Sequence, residues 1–579
     1  NNILSHDVGL LSSASSTSMA TTTFFQLLSF AVHVFVGALP SKPDGPIVQT
    51  RYGAVQGMYA EEGAIFLGLP FGVPPIGELR WKPPRAYNTS WAPEVRDGTV
   101  PGPACRQPGC GPTDSDYQHV CNRDKARTQS EDCLYLNVFV PRSVLNSTAR
   151  LPVMCFFHGG SYRHGTASAI LYDGRILANK TNTVVVTTNY RVGAFGFLVT
   201  GEGEGDARGN YGTLDQIEAL QWVQQNIADF GGDKDKVTIF GQSSGSDSVA
   251  VLLTSDRAAH LFHQGIMLSV PFSISHKTQF EAIRFGTDFV KLANCSTGDM
   301  KCLRSKSADE ILHAQDEVES YIANPFHLLQ RFMQWGPTVD GDVLPRQTLD
   351  SFAKGKFQRK PFIIGTVSEE AFLYIYQAFS NPVSKVELYE AALAFLRGKG
   401  PAVLHEYNPP QASDYRPFLS HAVTDWVFEC PTRNAIRNAV ASGEDDVWLY
   451  VFDHVWSFKT FWHDFTYCQG RVCHSEDVPF VFQTPLLMNL SFTPDEQILA
   501  DAMVYHYGNF VHTGHPNKPS PYVYTTGNIV KSALNWPRYN KGNQFPNMNF
   551  TTPQNVIVHD YNKDKCDFWD KEDIYSGID

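Results

Sequence analysis

From residue 152 onward the chain alternates short apolar runs with segments whose apolar residues recur three and four positions apart, the pattern of strands followed by helices. "PVMCFF" (152–157) and "TVVVTTNY" (183–190) are unbroken apolar or β-branched runs, as strands buried on both faces require. Leu214, Ile217, Leu220, Val223 and Ile227 then share one helical face, with Thr213 and Gln216 spaced as a capping box and Gly231-Gly232 as the stop. "VTIF" (237–240) reads as the next strand and "SGSDSVAVLL" (244–253) as the next helix. The expectation is an α/β fold, a parallel sheet covered by helices.

The turn between those last two elements carries Gly241-Gln242-Ser243-Ser244-Gly245, a G-x-S-x-G. With 44 glycines in the chain the pentapeptide alone has little meaning; its place gives it one. A serine on a sharp strand-to-helix turn stands above the strand ends, and small flanking residues let the strand and helix approach. The following N–H, that of Ser244, lies at a helix N-terminus, where negative charge is favoured. Ser243 is therefore the candidate nucleophile. "FFHGGSYRHG" (156–165) follows a buried strand and resembles an HGGG-type loop, so the N–H groups of Gly160, Ser161 and Ser244 are the candidate oxyanion donors. A serine at 161 gives up glycine's easy access to positive φ. A serine nucleophile needs a histidine and an acid, in the chain order Ser, acid, His. With 19 histidines and 59 acidic residues, order alone does not choose them. The Gly-rich "GEGEGDARGNYG" (201–212) carries Glu202, Glu204 and Asp206 and no G-K-[ST], so it reads as a solvated loop and not as a phosphate cradle.

Composition adds a compartment. A length of 579 residues admits two domains or one large α/β domain, and a net charge of −12 argues against nucleic acid as a partner. Phe24 to Leu39 is apolar but too short to span a bilayer, and Val36-Gly37-Ala38 suits a small-residue cleavage site. Residues 1–38 are thus expected to be a leader with a signal peptide, the mature protein secreted and without a stable membrane span; lacking a basic n-region, an uncleaved anchor is the alternative. Asn88, Asn146, Asn179, Asn294, Asn489 and Asn549 open N-x-S/T sequons for glycosylation. Eleven cysteines suit five bridges in an oxidising compartment, with Cys155, in a buried strand, as the thiol left over.

Longer motifs carry a family resemblance. "FLGLPFGVPPIGELRWKPP" (66–84), "EDCLYLNVFVP" (131–141), "NYRVGAFGFL" (189–198) and "GNYGTLDQIEALQWVQQNIADFGGDKDKVTIFGQSSG" (209–245) resemble the type-B carboxylesterase and cholinesterase family, from about residue 45 to 570. The resemblance implies one α/β-hydrolase domain over residues 39–579, with a large, mostly parallel central sheet and helices on both faces. It places the acid in "FIIGTVSEEAFLY" (362–374) at Glu370, with Glu369 as competitor, and the base in "RVCHSEDVPFVF" (471–482) at His474. His454 and His463 lack that context and read as structural or exposed. It pairs Cys105 with Cys133, Cys295 with Cys302 and Cys430 with Cys566, which leaves Cys110 with Cys121 and Cys468 with Cys473 as local pairs; a metal site at Cys473-His474 is the minor alternative. No metal or cofactor is implied, and the partner is a small-molecule ester.

Two positions bear on the substrate. Cholinesterases hold a quaternary ammonium with a tryptophan about ten residues before the E-D-C-L cysteine and a glutamate before the nucleophile. Here "CNRDKARTQS" (121–130) has Arg123 and no aromatic residue, and Gln242 precedes Ser243. Neutral carboxylic esters are the expected substrates and choline esters poor ones. A glutamine there also resembles juvenile-hormone esterases, and related lipases share the framework. The alternative from another class is adhesion, since neuroligin-like relatives keep the fold and lose the triad.

Overall fold

The unbroken apolar runs form the centre of an eleven-stranded sheet. In the computed structural model, residues 45–109, 129–144 and 148–575 are described, apart from 322, 323, 325, 460, 463, 464, 525, 526, 528 and 530–532. The leader, the Cys110/Cys121 pair, Arg123, Asn146 and His463 lie outside the described residues. Across the sheet the strands are Val556–His559, Pro546–Phe550, Val447–Phe452, Phe362–Val367, Gln264–Leu268, Gly232–Gln242, Leu151–Phe157, Val184–Thr188, Tyr135–Pro141, Gly63–Pro70 and Met58–Tyr59. Those from Pro546–Phe550 to Val184–Thr188 are mutually parallel. The strands beyond Val184–Thr188 at one edge and Val556–His559 at the other pair antiparallel.

Both faces of the sheet are covered. Along Leu151–Phe157, Val153, Cys155 and Phe157 enter one core with Leu220 and Val223 of helix Tyr211–Asn226 and Val249 and Leu252 of helix Ser244–Thr254. Met154 and Phe156 enter a second core with Leu177 of helix Arg175–Thr181 and Met503 and Phe510 of helix Pro494–Thr513. The strand alternates its side chains between two apolar layers, which is why its sequence shows no polar alternation. Among the described residues no helix is long and apolar enough to cross a membrane.

The strand order reverses at Leu151–Phe157: the next strand in sequence, Val184–Thr188, pairs on one side and the following one, Gly232–Gln242, on the other. The loops leaving the carboxyl ends of Leu151–Phe157 and Gly232–Gln242 therefore diverge and leave a crevice, the usual binding position in such sheets. The loop with the candidate oxyanion donors Gly160 and Ser161 and the Ser243 turn are those two loops.

Two expectations are revised. The helix begins at Tyr211, not Thr213; its N-cap is Asn210 in a left-handed conformation, and Gln216 turns inward to donate to Ser248 Oγ at 2.9 Å, so there is no capping box. Asn549 is not a surface sequon: it is buried in strand Pro546–Phe550 and accepts from Asn547, whereas Asn88, Asn179, Asn294 and Asn489 are exposed. Ser161 adopts a positive φ of 55° although it is not glycine. Among the described residues, four disulfides join Cys105–Cys133, Cys295–Cys302, Cys430–Cys566 and Cys468–Cys473, and Cys155 is a buried free thiol. With Cys473 bridged, no thiolate is available beside His474 for a metal. Of the stretch 201–212 expected as a solvated loop, 201–205 is largely exposed, held by Asp206 accepting from the Gly203 N–H at 2.9 Å, whereas Ala207 and 209–212 are buried and Tyr211 opens the helix.

Candidate active site

Strand Gly232–Gln242 runs directly into helix Ser244–Thr254, and Ser243 takes up the turn at φ 57°, ψ −127°. A non-glycine residue there is strained and is held by its surroundings. The Ser243 N–H donates to Leu268 O on the neighbouring strand and its carbonyl accepts from the Asp247 N–H, each at 2.9 Å. The flanking glycines are steric requirements: a Cβ on Gly241 would lie 2.2 Å from Gly245 O, and one on Gly245 2.0 Å from Phe157 O. Both obstacles are backbone, so nothing flexible could yield.

Glu370 and His474 meet beside this turn. Glu370 follows strand Phe362–Val367, is fully buried, and accepts from the Val367 N–H through Oε1 at 2.9 Å and from His474 Nδ1 through Oε2. Its neighbour Glu369 faces elsewhere, accepting from Arg471 Nη1 at 3.0 Å and the Val472 N–H at 2.8 Å. The adjacent carboxylates are thus separated by partner: Glu370 orients the imidazole and Glu369 fastens the loop that carries it. The Cys468–Cys473 bridge closes the same loop one residue before His474. With Nδ1–H donated to Glu370, the lone pair of His474 is on Nε2. The Gln242 side-chain amide lies 2.9 Å from that nitrogen. Tyr374 and Phe428 flank the ring at centroid distances of 5.2 and 5.3 Å. His454, by contrast, is bonded between Glu496 and Thr552, a structural role.

The oxyanion loop is clamped from several sides. His158 stacks on Tyr190 at 4.4 Å, the Tyr190 hydroxyl donates to His158 O at 2.6 Å, and burial pushes the imidazole down to about 4, so it is neutral scaffolding. Gln107 bridges Gly165 through both its amide atoms, and Gly160 O accepts from the N–H groups of Arg163 and His164. These bonds close a tight turn that carries Gly160 at φ 111° and Ser161 at φ 55°. Among the described residues, the N–H groups of Gly160, Ser161 and Ser244 have no protein acceptor.

Ser243, His474, Gly160, Ser161 and Gln242 line one cavity of about 410 Å³, walled by Trp335, Tyr374, Phe461, Trp462 and Phe465. Of its carboxylates, Glu319 is engaged by Arg163 Nε at 2.7 Å and Trp335 Nε1 at 3.0 Å. A smaller, apolar chamber also reaches Ser243 and Ser161, lined by Ile274, Met333, Ile375, Val423, Val427 and Phe428. Val427 and Phe428 belong to a π-helical turn, Thr424–Glu429, that no sequence pattern indicated. Leu329, Phe332, Ile375 and Val423 are shared with a further apolar cavity behind it.

Sequence reasoning missed the bond from Gln242 to His474. It also missed two buried acids after His474, Glu476 and Asp477; only the "HSED" string hinted at them, as charge in an otherwise apolar stretch.

The carboxylesterase family model matches residues 44–569. The chain belongs to the carboxylesterase family. The "Crystal protein" of Dictyostelium discoideum is 37% identical over 476 residues, 81% of this chain and 82% of that one. Para-nitrobenzyl esterase of Bacillus subtilis is 33% identical over 500 residues, 86% of this carboxylesterase and 93% of the bacterial chain. A solved structure of a thermophilic PNB esterase superposes with a TM-score of 0.73 at 29% identity, covering 91% of this chain and 100% of its own. This member of the family is a carboxylic ester hydrolase with the α/β-hydrolase fold.

Proposed function

We propose that this hydrolase cleaves neutral carboxylic esters by a Ser-His-Glu acyl-enzyme mechanism. The observation that carries the reading is the buried Glu370–His474 pair, set beside Ser243 and three unengaged N–H groups. Ser243 Oγ attacks the ester carbonyl carbon while His474 Nε2 takes its proton. Glu370 holds the tautomer and stabilises the imidazolium. Gly160, Ser161 and Ser244 donate to the oxyanion, each worth about 3 to 4 kcal/mol in comparable sites. His474 returns the proton to the departing alkoxide, and water repeats the sequence on the acyl-enzyme.

Neutral substrates fit a site whose carboxylates are engaged. Glu370 is bonded to His474, Glu319 to Arg163, and the residue before Ser243 is the uncharged Gln242, so among the described residues lining the cavity no free carboxylate awaits a quaternary ammonium. The apolar chamber beside Ser243 suits the acyl chain and the larger cavity the alcohol. Four disulfides and the apolar run at Phe24–Leu39 support a secreted protein whose domain begins near residue 39. The test is hydrolysis of a neutral ester series of graded acyl length beside choline esters, with wild type and Ser243→Ala. Turnover of neutral esters that Ser243→Ala abolishes is expected. Turnover unchanged in that variant sinks the mechanism, and a preference for choline esters sinks the substrate class. A chain that hydrolysed none of them and took no organophosphate would favour the adhesion reading.

A further inference from the structure

The proposed base is already engaged. A serine nucleophile is activated when its hydroxyl donates to the free imidazole nitrogen, here His474 Nε2. That nitrogen instead faces Gln242 Nε2 at 2.9 Å, while Nδ1 is bound to Glu370. A neutral imidazole has one lone pair in the ring plane, and an amide N–H pointed at it uses the acceptor that Ser243 Oγ requires. No hydrogen bond between Ser243 Oγ and His474 occurs among the described residues. Gln242 can lie this way because Gly159 has no side chain: a Cβ there would come within 2.8 Å of Gln242 Oε1 and 3.0 Å of Ser243 Cβ. Gln242 is itself fixed in the sheet, paired with Leu268 and buried, so the amide has few other places to rest.

We propose that Gln242 is a positioning residue that caps the base: in the ligand-free enzyme its amide occupies the Nε2 lone pair of His474, and the Ser243–His474 bond forms when a bound ester offers the amide another acceptor. The inference rests on the reading of Ser243 and His474 as nucleophile and base. No covalent bond changes in the step; one N–H moves from an imidazole nitrogen to an ester oxygen, and the serine hydroxyl takes its place. The residue before the nucleophile would thereby tie activation of the serine to occupancy of the alcohol side of the cavity, which Gln242 lines. Other ionisable groups act on this imidazole: Glu370 is bonded to it, Asp477 interacts with it, and Glu429 acts on Glu370.

Gln242→Leu and the near-isosteric Gln242→Glu test this, since leucine has no donor and an ionised glutamate only accepts. Two readouts are needed: the rate at which an uncharged organophosphate labels Ser243, and the pH profile of kcat/KM on a neutral ester. The amide bond favours the unprotonated ring, so without it the acid limb should move to higher pH, furthest in Gln242→Glu where a carboxylate faces the imidazole. Labelling of Gln242→Leu above that limb should become roughly three- to tenfold faster, the equivalent of one ordinary hydrogen bond. Should Gln242→Leu not fold, the acid limb of Gln242→Glu set against Asp477→Asn decides alone, because only the first removes the donor. Labelling unchanged or slower, with the acid limb where wild type has it, overturns the cap. Wild type that resists labelling altogether overturns the nucleophile reading and the cap with it.

Discussion

At the scale of single residues, neighbours with the same chemistry are separated by what they touch. Glu369 and Glu370 are consecutive carboxylates, and "SEEAF" offers no internal reason to choose between them. The structure gives one the imidazole and the other Arg471 and a backbone N–H. Glu370→Gln keeps the volume but loses the charge facing the imidazolium and permits the wrong tautomer; kcat should fall roughly a thousand- to ten-thousand-fold. Glu369→Gln loses a half-exposed ion pair, and kcat should change by less than about threefold, in line with the small worth of such pairs. Steady-state kinetics on one neutral ester checks both, and equal losses would mean the assignment is wrong. The family resemblance pointed to Ser243, Glu370 and His474, because the motifs around them are long, and the structure brings Glu370 and His474 into contact. The Gln242–His474 bond was not legible: it joins residues 232 positions apart, and its existence depends on a missing side chain at Gly159.

Elements explain more of the site than their sequences announce. The strand–turn–helix at Ser243 was readable from apolar runs and two glycines, and the structure supplies the steric reason for both glycines. Gly245→Ala would press a Cβ onto Phe157 O at 2.0 Å and separate the helix from the strand that carries the oxyanion loop. The expected result is a chain that is insoluble, or folds with organophosphate labelling of Ser243 lost; normal labelling would show that the helix can shift without cost. Strand direction was less readable. "YLNVFVP" and "PVMCFF" are equally apolar, yet Tyr135–Pro141 runs antiparallel to its neighbour and Leu151–Phe157 parallel, because apolar content reports burial and not direction. The π-turn Thr424–Glu429 was hidden for a similar reason, since one extra residue in a helical turn barely alters its periodicity. That turn places Val427 in the apolar chamber beside Ser243. If acyl chains enter this chamber, Val427→Trp should fill it and move the preference along a graded ester series toward the shortest acyl groups, with kcat/KM on acetyl esters within about tenfold of wild type. An unchanged chain-length profile would place the acyl group elsewhere.

Over the whole molecule, buried carboxylates and histidines set how stability depends on pH. Burial, with the charge of Glu370 nearby, pushes Asp477 from 3.8 up to about 7, against the hydrogen bond from Tyr450. Glu476 and Glu429 are also driven up by burial, and an oxygen of each of the three acids has no hydrogen-bond partner among the described residues. Between pH 4 and 7 the folded chain therefore holds a proton on Asp477 that the unfolded chain has released, so by linkage the contribution of this group to stability falls as pH rises through that window. Glu281 and Glu496 act the other way. Burial raises both, but hydrogen bonds from His327 and Asn324 in one case and His454 and Ser457 in the other outweigh it and bring each from 4.5 down to about 2. Their contribution is complete above pH 4.5 and is lost as pH falls toward 2. Buried His158, His164 and His506, held below the usual histidine range by burial, add stability as pH rises toward 6.5, so a variant is needed to isolate Asp477: Asp477→Asn should shift the change in thermal midpoint between pH 4 and 7 toward greater stability at pH 7, since asparagine still accepts from Tyr450 and has no charge to desolvate. Melting curves at constant ionic strength from pH 3 to 8 test this; the same slope toward pH 7 in both proteins would mean that Asp477 is ionised in the native state.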